Sequence, residues 1–266
     1  MCHQKYILAP LLIILLTNHV QCGLQRVKRI VRGSAVESEE KLSSAVSLQY
    51  LNSTKQLEHF CGGTYVGRGW ILTASHCLTL IDYEKHELYA EIGRKDLYNN
   101  PEKLVKLEDF YIIQFDTITY ANDIAMIRLP EDHRELPSNV ILPQSTVPIS
   151  EHSNCSIFGY GSERFLQDIV ASFREAPIHI LPAEECEEAL VPYAPDYSSG
   201  MFCAGGGLED ACQGDSGSGL ICEGNTLVGI VSYGSSCGIP GLPGVYTDVQ
   251  HHLQWINQVV AQPYEM

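Results

Sequence analysis

Ten cysteines lie in this chain of 266 residues, and their placement narrows the fold more than any other feature. Cys2 and Cys22 bracket an apolar run, Tyr6 to Leu16; the other eight are spread from Cys61 to Cys237. Lys5 before the run and a Val20-x-Cys22 pattern after it mark a secretory leader, so residues 1–22 are expected to be cut away before Gly23. The run is too short to cross a bilayer comfortably, so a secreted, extracellular chain is expected rather than an anchored one. Eight cysteines in an oxidising compartment imply disulfides, and counting alone leaves about a hundred pairings open. No Cys-x-x-Cys or His-x-x-x-His pair stands out, and neither a metal nor a cofactor is expected.

The remaining chain is long enough for one large all-β unit or two small barrels. Short apolar and β-branched runs, such as Gly69–Ala74, Asp123–Leu129 and Thr226–Ser232, alternate with Gly, Pro, Asn and Ser turns. That texture predicts antiparallel strands. Asp82–Tyr89 and Pro182–Leu190 read as short helices. Val249, Leu253, Ile256 and Val260 recur at helical spacing and predict a terminal helix with Asp248 as its cap. Residues 1–29 hold Lys5, Arg26, Lys28 and Arg29 and no acid. Residues 30–266 therefore set thirteen bases against thirty-two acids, a net charge of −19. Such a surface repels nucleic acid and anionic membranes, and neither is expected as a partner.

Three segments carry chemistry: Thr73-Ala74-Ser75-His76-Cys77, Asn122-Asp123-Ile124-Ala125 and Cys212-Gln213-Gly214-Asp215-Ser216-Gly217. Each alone has an ordinary explanation: a half-buried histidine, the start of a strand, a glycine turn. Together they supply what acyl transfer to a serine needs, a base for the hydroxyl proton and a carboxylate to fix that base's tautomer.

With these motifs the chain resembles the trypsin/chymotrypsin family of serine proteases over nearly all of residues 30–262. Further matching stretches are Cys61-Gly62-Gly63-Thr64, Gly159-Tyr160-Gly161, Met201-Phe202-Cys203-Ala204-Gly205, Ser232-Tyr233-Gly234 and Pro243-Gly244-Val245-Tyr246-Thr247-Asp248-Val249. The resemblance implies an all-β fold of two six-stranded antiparallel barrels, roughly residues 30–140 and 141–248, followed by a C-terminal α-helix and with the site between the barrels. It implies His76 as general base, Asp123 as its orienting carboxylate and Ser216 as nucleophile. The N–H groups of Gly214 and Ser216 are the implied oxyanion hole. The implied disulfides are Cys61–Cys77, Cys155–Cys222, Cys186–Cys203 and Cys212–Cys237.

Specificity and activation are implied by the same resemblance. Asp210, six residues before Ser216, falls at the floor of the substrate pocket, where it selects arginine or lysine. Gly234 and Gly244 are the small wall residues, and Ser232 with Gly234 is expected to bond the substrate backbone. Residues 23–29 read as a propeptide: cleavage after Arg29 frees the amino group of Ile30 to pair with Asp215, starting a protease domain over 30–266. Arg26-Val27-Lys28-Arg29 suits a furin-type convertase, and Arg29 suits the protease itself. The expected partners are polypeptide substrates, the activating protease and serine protease inhibitors, with the protein a monomer. The chain departs from the family in Gly217-Ser218-Gly219, where Gly-Gly-Pro is usual, and Ser218 is expected to crowd a position that prefers glycine. Arg94 stands where vertebrate trypsins open a calcium loop with an acid, so no Ca²⁺ is expected there, and Pro243 argues against a sodium site. Asn52-Ser53-Thr54 is a candidate glycosylation sequon; Asn154-Cys155-Ser156 is disfavoured by its cysteine.

Overall fold

The computed structural model describes residues 30–36, 38–79, 86–97, 104–144, 151, 153–162, 166, 172–191, 197 and 199–263. The expected leader and Arg29 lie outside these residues. The chain enters through a two-residue strand, β1 (Ser34–Ala35), and one helical turn, α1 (Glu39–Leu42). The first sheet is built from β2 (Ala45–Leu51), β3 (Leu57–Gly67), β4 (Trp70–Thr73), β5 (Leu88–Ile92), β6 (Leu104–Lys106), β7 (Asp109–Ile112) and β8 (Ala125–Arg128), with α2 (Ser75–Thr79) between β4 and β5. The second comprises β9 (Asn154–Gly159), β10 (Arg174–His179), β11 (Met201–Gly205), β12 (Gly219–Cys222), β13 (Thr226–Tyr233) and β14 (Pro243–Asp248), with α3 (Ala183–Leu190) before β11 and α4 (Leu253–Val260) after β14.

Both sheets are antiparallel and curl into barrels. The first runs β6-β5-β2-β3-β4-β8-β7. Its two edge strands are pieces of one strand, bent at Leu107-Glu108, so a single segment pairs with β5 at one edge and β8 at the other and closes the sheet. The second runs β1-β10-β9-β12-β13-β14-β11. It closes where Ile180, just past β10, bridges Ala204 of β11, and where Leu181 N–H donates to the Cys203 carbonyl at 2.9 Å. Each sheet thus counts seven strands against the expected six, through a bent strand in one and the added β1 in the other.

The termini cross between the barrels. β1 pairs with β10 of the second sheet, although its sequence position precedes the first. The terminal helix α4 leaves the second barrel and buries Leu253, Ile256 and Val259 in the core of the first, beside Ile71, Met126 and Ile127. Full burial of each such side chain stabilises by about 1.5–3 kcal/mol. Arg128 lies over the rings of Trp70 and Tyr111 and donates Nη1–H to the Pro263 carbonyl, which pins the chain beyond the helix. Asp248 does not cap α4: its Oδ1 accepts the N–H groups of Gln250 and His251, capping the turn ahead, and His252 occupies the N-cap position. The Pro182–Leu190 pattern does form a helix. Leu88 and Tyr89 of the other expected helix instead enter β5, and Asp82–Lys85 lie outside the described residues.

Four disulfides staple the framework: Cys61–Cys77, Cys155–Cys222, Cys186–Cys203 and Cys212–Cys237. They close loops of 16 to 67 residues, each worth about 3–4 kcal/mol in chain-entropy terms.

Candidate active site

β4 ends at Thr73, and the chain turns at once into α2, tied to β3 by Cys61–Cys77. This puts His76 at the junction of the barrels, with 11% of its side chain exposed. Its Nδ1–H donates to Asp123 Oδ2 at 2.7 Å, and its backbone N–H donates to Asp123 Oδ1 at 2.8 Å. One carboxylate therefore grips both the ring and the main chain of one residue. Asp123 is fully buried and also accepts from Ser232 Oγ at 2.5 Å. Ser75 Oγ and Thr247 Oγ1 clamp the carbonyls of Ile124 and Asp123. With Nδ1 carrying its proton to Asp123, Nε2 is the basic nitrogen of the ring.

Ser216 is half-buried on a tight turn and lines the same cleft as His76. The turn is fastened to the first barrel where Gly62 N–H donates to the Ser216 carbonyl at 2.8 Å. The carbonyls of Gln213 and Asp215 accept from the N–H groups of Ser162 and Ser218 at 2.7 and 2.9 Å. A trans peptide points its C=O and N–H in opposite directions, so the N–H groups of Gly214 and Ser216 face away from those anchors. Among the described residues neither meets a backbone acceptor. Gly214 takes a φ of 93°, in the region that favours glycine. Its carbonyl accepts from His59 Nε2 at 2.9 Å. This arrangement can hold an oxyanion beside a serine hydroxyl and a basic imidazole.

The cleft runs on into a cavity of about 220 Å³. Asp210 lies in its wall, 2% exposed, with Oδ2 accepting Gly238 N–H at 2.9 Å and Oδ1 without a hydrogen-bond partner among the described residues. Tyr246 lines the same cavity, and its buried hydroxyl has no hydrogen-bond partner among the described residues. Burial pushes the Asp210 carboxyl up to about 6, against the N–H groups of Gly238 and Ala211, which lower it. A Cβ at Gly244 would stand 3.6 Å from Asp210 Oδ1 and 3.2 Å from the Tyr246 ring, so any larger residue there would stand in front of the carboxylate. Gly234 lines the opening. Tyr120 leans on both His76 and Tyr233, with ring centroids 5.7 and 5.3 Å apart, and forms an aromatic wall on one side.

Asp215, beside Ser216, is 1% exposed. Its oxygens accept the N–H groups of Gly161 and Cys212, and burial pushes its carboxyl up to about 7. It fits only because Gly159 and Gly161 have no side chain: a Cβ there would stand 1.9 and 2.5 Å from its atoms. Ile30 is fully buried in the second core, and Val31 bridges Asp210. Ser218 does not strain the turn. It lies outside the left-handed region, and its hydroxyl occupies the space that a side chain at Gly62 would take, 1.9 Å from that Cβ position.

The sequence motifs point to His76, Asp123, Ser216, Asp210, Gly214, Gly234 and Gly244, and the fold gathers them around one cleft. They do not point to His59 or Tyr120, and they contain Ser75, Tyr246 and Thr247 without showing their roles, which are contacts across long stretches of sequence. Ser232, expected at the substrate backbone, lines the cleft, and its side chain in addition donates to Asp123.

The family model described as Trypsin matches residues 30–256. Tissue-type plasminogen activator of Bos taurus is 32% identical over 263 residues, covering 90% of this chain and 46% of that protein. Its human counterpart is 35% identical over 218 residues, covering 74% and 38%. Coagulation factor XII of Bos taurus is 35% identical over 228 residues, covering 77% and 36%. The chain spans less than half the length of these relatives. Motif order, barrel topology, disulfide framework and sequence likeness agree, and the chain belongs to the trypsin family of serine endopeptidases.

Proposed function

We propose that this protein is a secreted endopeptidase that cuts polypeptides after arginine, and less readily after lysine, once its own chain has been cut after Arg29. The observation that carries the specificity is the orphaned, buried Oδ1 of Asp210. A buried anion without a cation is costly, and a substrate guanidinium supplies the missing charge in a planar fork. Secretion rests on the leader-like N-terminus and the four disulfides. Asn52, in the β2–β3 connection, is the candidate glycan site; its Oδ1 accepts from Thr54 N–H and Oγ1.

In this reading Ser216 Oγ attacks the carbonyl carbon of the substrate arginine while His76 Nε2 takes the hydroxyl proton. The resulting oxyanion is held by the N–H groups of Gly214 and Ser216. His76 then returns the proton to the departing amine, leaving an acyl-enzyme that water hydrolyses by the same steps. Losing one oxyanion donor typically costs about 10²–10³ in rate.

Activation rests on Asp215. Cleavage after Arg29 makes an ammonium at Ile30, and pairing with it relieves a carboxylate that burial, helped by the charge of Asp210, pushes up to about 7. Breaking such a buried pair costs about 3–5 kcal/mol. Asp215→Asn, with its N-terminus verified at Ile30, is therefore expected to lose about 10²–10⁴ of kcat/KM. A fully active variant would remove Asp215 from the switch.

Matched peptides test the specificity. Lysine is shorter and more strongly hydrated than arginine, and Ala211, after Asp210, offers no hydroxyl to solvate an ammonium. Arginine is expected to be preferred by a few-fold to tenfold, about 1 kcal/mol, the size of one net hydrogen bond. Ala211→Ser should narrow the gap; equal rates in the unaltered enzyme would refute the argument.

A further inference from the structure

Behind the serine turn runs a chain of polar contacts that the proposed mechanism does not use. Arg94 Nε lies 2.9 Å from Glu91 Oε1, a buried ion pair that lacks the alignment of a hydrogen bond. Glu91 Oε2 accepts from Gln49 Nε2 at 3.0 Å, and the same nitrogen donates to Ser47 Oγ at 3.0 Å. Ser47 Oγ lies 2.8 Å from His59 Nδ1, and His59 Nε2 lies 2.9 Å from the Gly214 carbonyl. Ser47, Gln49 and Glu91 are 0, 4 and 1% exposed.

We propose that Arg94, Glu91 and Gln49 are positioning residues for the oxyanion-binding turn, acting through Ser47 and His59. The proposal rests on the reading of Gly214 N–H as an oxyanion donor. Its force lies in the direction of the protons. Guanidinium can only donate and carboxylate only accept, so the outer end of the chain is fixed in sign. Gln49 must then give one N–H to Glu91 and the other to Ser47. At the other end the Gly214 carbonyl can only accept, so His59 Nε2 carries the ring proton and its bare Nδ1 accepts the hydroxyl proton of Ser47. Each link has one polarity, and the last pins the peptide joining Gly214 to Asp215. The N–H of that peptide is held from the other side by the Cys212 carbonyl. Burial pulls the His59 ring down to about 4, which keeps Nδ1 free to accept.

A merely structural role would be met better by apolar residues, since a buried charge must be paired to be tolerated and packed hydrocarbon often stabilises more. Tyr160 ties the ends of the relay together: its ring meets His59 edge-on at 5.5 Å, and its hydroxyl donates to the Arg94 carbonyl at 2.5 Å. The β5 end and the surface loop after it are thereby linked to the chemistry of the cleft.

The test uses the enzyme cut after Arg29, with Gln49→Leu and Ser47→Ala, and two probes. Benzamidine reads the Asp210 pocket alone. A peptide arginal adds to the serine and places its oxygen in the oxyanion site. Both variants are expected to lose about tenfold in kcat on an arginine peptide at unchanged KM, and about tenfold in arginal affinity, the size of one net hydrogen bond. Benzamidine affinity should not change. Unchanged kcat and arginal affinity in both variants would overturn the relay, as would equal weakening of both probes, which marks a purely structural role. If the unaltered enzyme bound neither probe, the arginine reading would fall by itself. The relay would then be judged by the rate at which an organophosphorus reagent labels Ser216, with the same tenfold expectation and the same refutation.

Discussion

Ser216→Ala is expected to lower kcat by about 10⁶ while leaving the fold intact, and His76→Ala by a similar factor, because nucleophile and base act as one unit. The double variant should be little worse than either single one. Independent effects that multiplied would mean that the two side chains do not share a step. Geometry underlies the expectation. His76 is held by Asp123 through ring and main chain at once, and the serine turn is fastened to the first barrel at Gly62. The Ser216→Ala protein also identifies its activator. Secreted protein starting at Ile30 would indicate a convertase acting on Arg26-Val27-Lys28-Arg29, and protein starting near Gly23 would indicate self-cleavage.

Asp210→Asn is expected to lower kcat/KM on arginine peptides by about 10²–10⁴, the cost of breaking a buried charge pair of about 3–5 kcal/mol. Cleavage after neutral residues should fall far less. The same carboxylate predicts a pH dependence. Its folded-state value is raised from 3.8 to about 6 by burial. Its contribution to stability is therefore full below 3.8 and is lost as pH rises through about 6. A bound cation reverses the burial penalty by favouring the ionised form. Benzamidine affinity should thus rise about tenfold per pH unit up to about pH 6 and level off above it. In Asp210→Asn both the affinity and the slope should disappear; a slope that survives the substitution would belong to another group.

The fold was legible where local pattern and tertiary outcome agree. Trp70–Thr73, Ala125–Arg128 and Thr226–Tyr233 alternate or run apolar in sequence, and they form strands. The Glu-rich pattern of Pro182–Leu190 also forms its helix, over Ala183–Leu190. The illegible parts depend on distant partners. Nothing in Ser34-Ala35 says that these residues cross to the second sheet; Arg174 and Glu175 decide it. Leu88 and Tyr89 sit in an acidic segment of helical appearance, but β2 offers them a ladder, and pairing wins over propensity.

The site divides in the same way. His76, Asp123 and Ser216 stand in short motifs whose chemistry is local. His59 is an ordinary histidine until Gly214, 155 residues away, supplies an acceptor for it. Ser218 reads as a defect against the family pattern. In three dimensions the space it needs is the space left open by Gly62, a complementarity that no local comparison can reveal.

One measurement addresses the central claim most directly. Protein cut after Arg29 is treated with an organophosphorus reagent carrying a basic side chain, and the modified residue is located by peptide mapping. Stoichiometric labelling of Ser216 is expected, abolished in His76→Ala and slowed in Asp210→Asn. A correctly processed chain that stays unlabelled, or is labelled at any other residue, would contradict it.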